Sequence, residues 1–225
     1  MTSGWFITFE GIDGSGKSSH LKRAAAALTG LGHEPVVTRE PGGTPIGEQI
    51  RALLLSRDSR EISPESETIL YASDRAEHVR KVVLPALAAG RFVLCDRYVD
   101  STVAFQGYGR GIDFTLICDL NRIATGGLVP DLTILLDVDP AVARQRLEAR
   151  AAPGSAKKPA DRFDDEDHDF HSRVRAGYFK LAESTPDRIR VVNTSVGVDE
   201  AHDRVMQIIF EKTGLDSGVD LKMAP

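Results

Sequence analysis

Gly11, Gly16, Lys17 and Ser18 occupy the fixed positions of the pattern G-x-x-x-x-G-K-[ST], with Ile12, Asp13, Gly14 and Ser15 between them. These residue types serve one chemistry, the binding of phosphate oxygens. Glycines let backbone N–H groups turn inward, a lysine reaches the β- and γ-phosphates, and a hydroxyl ligates Mg²⁺. The pattern therefore implies a nucleoside triphosphate with Mg²⁺. A glycine-rich turn that merely contains a lysine is the bland alternative. Context argues against it. The apolar run 5–9 ahead reads as a buried strand, and Leu21, Ala24, Ala25, Leu28 and Leu31 behind recur at helical spacing. The dinucleotide pattern G-x-G-x-x-G fails, because Ser19 stands where its third glycine belongs.

A second group of residues sits at the ends of apolar runs. Asp96 follows the run 92–95, where a carboxylate suits the outer coordination of Mg²⁺. Asp137 and Asp139 compete for that role, although Asp139 before Pro140 also reads as a helix cap. Arg39 and Arg97 each end a strand-like run, on the sheet edge where open α/β folds bind ligands. The guanidinium fork suits an acceptor phosphate. Arg75, Arg146, Arg150 and Arg162 lie near the same loops, and Arg144 is the expected bystander. A lone arginine is as often a solvated surface charge. Tyr71 and Phe105 are core aromatics by default, and 39–44, R-E-P-G-G-T, reads as a rigid turn.

Five strand-like runs alternate with helical patterns: 5–9, 34–39, 91–96, 131–137 and 188–193. That order predicts an α/β fold with a five-stranded parallel sheet, helices on both faces. Ser63-Pro64-Glu65 opens a long helix with a cap, a proline and an acid, and Pro85 kinks or interrupts it. The chain of 225 residues is read as a single domain over 1–213. A short lid falls at about 150–166, and 214–225 reads as a frayed tail. A net charge of −5 argues against broad nucleic-acid binding, which needs basic surface. No run is long enough for a membrane span, and no signal-like start precedes the first strand, so a cytoplasmic protein is expected. Cys95, inside an apolar run, is expected to be a core thiol.

Together these stretches resemble the bacterial thymidylate kinase family, the nucleoside monophosphate kinases that phosphorylate dTMP. The resemblance rests on F-E-G-I-D-G-S-G-K-S at 9–18, T-R-E-P-G-G-T at 38–44 and Y-A-S-D-R at 71–75. It continues with D-R-Y-V-D-S-T at 96–102, A-F-Q-G at 104–107 and a closing N-T-S at 193–195. It implies a P-loop NTPase three-layer sandwich with a short lid, ATP as co-substrate with Mg²⁺, dTMP as acceptor and a homodimer. By the resemblance, Gly11 through Ser19 hold ATP, and Asn193, Thr194 and Ser195 border its adenine. Asp13 accepts from the 3′-hydroxyl of dTMP, and Arg39 and Arg97 hold its phosphate. Tyr71 stacks on thymine and Arg75 donates to its O4. Thr102 and Gln106 line the base pocket, Phe105 packs on the sugar, and Pro41 and Ser101 complete this site. Lys17, Arg97, Arg146 and Arg150 carry the catalytic charge, with Ser18 and Asp96 at the metal.

The chain also departs from the family pattern. Position 71 is usually Phe, and Phe105 is often Tyr. No arginine stands inside the phosphate loop, so charge stabilisation moves to the lid. That lid is longer than the common short form and leaves Arg146, Arg150 and Arg162 as alternatives. Another monophosphate or deoxynucleoside kinase is the nearest competing reading. A GTPase-like switch is a distant one, because the chain lacks a guanine-reading N-K-x-D.

Overall fold

A computed structural model describes residues 4–151 and 162–216, apart from the side chains of 150, 151, 164 and 165. Most of the expected lid and the tail from 217 therefore lie outside the described residues. The expected parallel sheet is present. Strands β1 (Trp5–Glu10), β2 (Val36–Arg39), β3 (Phe92–Asp96), β4 (Leu132–Asp137) and β5 (Ile189–Asn193) stand in the order β2-β3-β1-β4-β5, all parallel. The strand order reverses at β1, and ligands of open α/β sheets bind at such a switch point.

Alternation along the strands splits the core into two faces. Ile7 and Phe9 join Leu94, Ile134 and Leu136 under α1 (Lys17–Gly30) and α9 (Val198–Thr213). Phe6, Val93 and Cys95 point the other way, toward the long helix that begins at α3 (Pro64–His78). Leu135 and Ile12 pack on α8 (His168–Ser184). Register brings Glu10, Arg39, Asp96, Asp137 and Asn193 to one edge, where each ends its strand. Arg39 pairs with Asp96, and Asp137 with Asn193.

Ser63 caps α3 as expected, accepting from the Ser66 N–H at 3.2 Å. The interruption near Pro85 is a π-helical turn, Val79–Val83, which leads into α4 (Leu84–Ala88). A wider turn makes room for a ring that lacks an N–H and crowds the carbonyl four residues back. The sequence patterns predict neither α2 (Pro45–Leu55) nor the helical stretch over 99–109. The start signal of α2 is present in the sequence. Thr44 accepts from Gly47 N–H at 2.9 Å, Pro45 opens the helix and Glu48 lies in the first turn. The turn 39–44 had absorbed Thr44. The remaining helices are α5 (Val99–Thr102), widened into a π segment over Val103–Gly109, α6 (Phe114–Thr125) and α7 (Pro140–Ala151).

Candidate active site

The phosphate loop joins β1 to α1. Gly16 precedes α1 at φ 96° with no side-chain cap, so the first N–H groups of the helix are free to face a ligand. The buried Lys17 Nζ donates to the Gly11 and Ile12 carbonyls at 3.1 and 3.0 Å and lies 3.6 Å from Asp13. Burial, then the nearby Arg97 charge, lowers its pKa from the usual lysine value. Ser15 Oγ is buried without a hydrogen-bond partner, which suits an anion-facing loop. Ser18 Oγ donates to Asp96 Oδ2 at 2.6 Å. A hydroxyl and a carboxylate are hard oxygen donors, so the pair fits Mg²⁺, which takes its other ligands from water and phosphate.

Asp137 and Asp139, the competitors of Asp96, have other partners. Asp137 forms a two-point pair with Arg175 at 2.7 and 2.8 Å. Asp139 caps α7 through Ala141 N–H at 2.9 Å. Arg144 pairs with Glu148 on the exposed face of α7, as a bystander would.

Arg97 is the hub of the second cluster. Its φ of 75° is left-handed, rare for a residue with a Cβ. Both sides of this turn are latched to β1. Arg97 N–H donates to Phe9 O at 3.0 Å, and Tyr98 N–H donates to Glu10 Oε1 at 2.7 Å. Cys95, the expected core thiol, is buried and donates to Arg97 O. The Arg97 guanidinium reaches Asp13 at 3.0 Å, Ser101 Oγ at 3.1 Å and Tyr178 OH at 3.2 Å. It lies 4.7 Å over the Phe105 ring. Glu10 Oε2 accepts from Ser101 and Tyr178 at 2.5 and 2.8 Å. Burial, with Asp100 nearby, pushes the Glu10 carboxyl up to about 7.

The structure thus joins Asp13, Arg97, Ser101 and Phe105, which the sequence singled out, with Glu10 and Tyr178, which it did not. Glu10 was visible only as a letter in F-E-G. Tyr178 was visible only as a beat of helical periodicity.

Arg39 is engaged elsewhere. Its Nη2 donates to both Glu48 oxygens at 2.8 and 2.9 Å, half exposed. The turn after it is pinned from below. Gly42 N–H donates to Asp74 at 2.9 Å, and Arg51 donates to Pro41 O at 2.8 Å across a cis Glu40–Pro41 bond. Buried Glu40 accepts from Arg75 and meets His78, each at 2.8 Å. Arg75 also binds Asn121 Oδ1 and Tyr98 O and is 1% exposed, so three of its nitrogens already serve the fold.

Half-buried Tyr71 packs against the cluster of Ile12, Phe105 and Phe163. Thr102 and Gln106 are buried on the segment 99–109, which also carries Phe105. At the other end, Asn193 Oδ1 accepts from Ser195 N–H at 2.8 Å, and Thr194 N–H donates to Asp137 O at 2.8 Å. Arg146 bridges this turn and the phosphate loop, donating to Thr194 O at 2.6 Å and to Gly14 O at 3.4 Å. Arg162, the third lid alternative, is buried, pairs with Glu67 and donates to Leu54 O. The Arg150 side chain lies outside the described residues. A groove of about 360 Å³ among Phe179, Ile189, Arg190 and Arg204 contains none of these residues.

A model of the thymidylate kinase family matches residues 9–205. The chain is 47% identical over 204 residues to the thymidylate kinase of Solidesulfovibrio magneticus, covering 91% of this chain and 98% of that protein. It is 46% identical over 209 residues to that of Geobacter sulfurreducens, covering 93% and 98%. The crystal structure of thymidylate kinase from Ehrlichia chaffeensis superposes with a TM-score of 0.74 at 32% identity, covering 92% of this chain and 99% of that one. Family model, relatives and fold agree with the geometry of a phosphate loop facing an arginine hub: the chain belongs to the thymidylate kinase family.

Proposed function

We propose that this protein catalyses ATP + dTMP → ADP + dTDP by direct in-line transfer. The observation that carries this reading is the Arg97 guanidinium beside Asp13, on the sheet edge that also holds Lys17. A fork held from behind by Ser101 and Tyr178 suits an acceptor phosphate. That phosphate oxygen is already ionised at neutral pH, so no general base is required. The protein's work is positioning and charge neutralisation.

In this reading Lys17 exchanges its two carbonyl partners for phosphate oxygens. Ser18 and Asp96 would hold Mg²⁺, which would supply neutralisation of phosphate charge. Asp13 accepts from the deoxyribose 3′-hydroxyl. Phe105 packs on the sugar and disfavours a 2′-hydroxyl. Tyr71 stacks on the base, with Arg75, Thr102 and Gln106 around its edge. Arg39 leaves Glu48 to share the acceptor phosphate with Arg97. The turn 193–195 borders adenine, and Arg146, tied to that turn and to the phosphate loop, adds its charge to the phosphates. Arg150 is assigned to the transferring phosphoryl group on the family resemblance, and Arg150→Ala should lower kcat by about 10³-fold with little change in dTMP binding.

The deciding experiment is a turnover panel with dTMP, dUMP, UMP, AMP and thymidine as acceptors. Preference for dTMP is expected. Preference for AMP or thymidine overturns the reading. A homodimer and a cytoplasmic location belong to the same proposal. Among the described residues, no helix is long and apolar enough to cross a membrane.

A further inference from the structure

Glu67 lies deep in the wall of the proposed acceptor site, 1% exposed, one helical turn before Tyr71 and two before Arg75 on α3. Its Oε2 pairs with Arg162 at 2.6 Å and Arg110 at 3.6 Å. Its Oε1 meets Gln106 at 2.7 Å. A carboxylate set between two guanidinium groups offers only lone pairs. The amide end facing it must therefore be the NH₂. The orientation of the Gln106 amide is set by the chemistry of its partner. Its carbonyl oxygen has no hydrogen-bond partner among the described residues. One turn earlier, Thr102 is 2% exposed and its hydroxyl also lacks a partner. A buried hydroxyl left unpaired carries a cost that a ligand can remove.

Gln106 thus has an acceptor oxygen to offer and Thr102 a hydroxyl that can donate, on the segment that also carries Phe105, whose cluster Tyr71 joins. The complementary edge is an N–H beside a carbonyl. A pyrimidine-2,4-dione, thymine or uracil, presents that edge at N3 and its flanking oxygens. Cytosine presents a lone pair at N3 and would face the amide carbonyl acceptor to acceptor.

We infer that Glu67 is a positioning residue for base selection: by fixing the Gln106 amide, it makes the pocket accept a pyrimidine-dione monophosphate and reject dCMP. The inference rests on the dTMP reading above. Glu67 touches no substrate and acts through Gln106 alone. Sites built to hydrogen-bond a substrate group discriminate strongly against analogues that leave the site's buried polar atoms unpaired.

Steady-state kinetics with dTMP and dCMP on wild type, Glu67→Gln, Gln106→Met and the double variant test it, with thermal melting as the folding control. Glu67→Gln can offer Gln106 either a donor or an acceptor, which frees the amide to turn over. The dTMP-to-dCMP ratio of kcat/KM should fall about tenfold or more in each single variant, mainly through KM. The double variant should be no less selective than Gln106→Met, because both changes remove one device. If Glu67→Gln does not fold, Glu67→Asp, which keeps the charge but withdraws it by one methylene, takes its place with the same expectation. Folded variants whose ratios stay within twofold of wild type, or whose losses multiply in the double variant, overturn the inference while leaving dTMP kinase activity standing. A wild type that does not turn over dTMP overturns the functional reading itself, and this inference with it.

Discussion

Glu10 is a carboxyl group held among three donors, yet burial keeps its proton affinity high. In the folded chain it retains its proton up to about pH 7, against an ordinary value of 4.5. Folding takes up a proton between those limits. The stability it contributes is therefore complete below about pH 4.5 and lost as pH rises through 7. Asp74, pushed up to about 7 by burial and then by Glu40, acts in the same direction. Glu10→Gln mimics the protonated form at every pH. Its Tm relative to wild type should rise between pH 5 and pH 8 in parallel thermal melts. A flat difference would show that Glu10 does not titrate in that range. Arg97→Lys tests the hub itself. A lysine cannot reach Asp13, Ser101 and Tyr178 in one fork, so the KM for dTMP should rise about 100-fold. Asp96→Asn should raise the Mg²⁺ concentration needed for half-maximal rate, measured by Mg²⁺ titration at saturating nucleotides.

At the scale of elements, the phosphate loop is shaped by its neighbours as well as by its own glycines. Gly14 has φ 83°, and a methyl group there would overlap the Ala143 carbonyl on α7. Gly14→Ala should therefore both strain the loop and push α7 off it, costing about 1–3 kcal/mol. The same change should raise the KM for ATP, because Arg146 on α7 ties the loop to the 193–195 turn. Melting temperature and ATP kinetics read the two effects separately. Unchanged values for both would mean that α7 is not a wall of the nucleotide site. The helix through Pro85 shows another way of absorbing a local conflict. Its π turn widens the backbone, so the chain stays helical through Ala88.

At the scale of the whole molecule, the proposed reaction has its two substrates meet across the carboxyl edge of one sheet. In the proposed reaction the nucleoside triphosphate would lie over the α1 side and the acceptor over the α3 and α8 side. The outer layer α2, α3 and α6 shows large apolar side chains to solvent: Ile46, Leu53, Ile69, Leu116 and Ile123, the last 71% exposed. Exposed apolar side chains on one layer suit a covered interface. Light scattering should give a mass of twice 24.5 kDa, and Ile123→Asp should lower it toward the monomer. A wild-type mass near 24.5 kDa would contradict the homodimer.

What the sequence determined by itself was local. The phosphate loop occupies eight residues, and its glycines, lysine and serine act through backbone geometry that near neighbours set. Ser63 and Asp139 were legible as helix caps for the same reason, since a cap bonds two or three residues ahead. The three central strands were legible because burial on both faces leaves short apolar runs, whereas the edge strands β2 and β5 are half exposed and carry fewer apolar residues. The start of α2 is ambiguous even so, because one threonine can end a turn and start a helix. The tertiary structure alone decided which distant groups meet. Glu10 finds Tyr98, Ser101 and Tyr178 across 88, 91 and 168 residues of chain. Glu67 finds Gln106 across 39 and Arg162 further still. Spacing cannot encode such pairings, because strand order and helix packing choose them. Proton affinities follow from that choice, since burial and neighbouring charge exist only once the chain has folded.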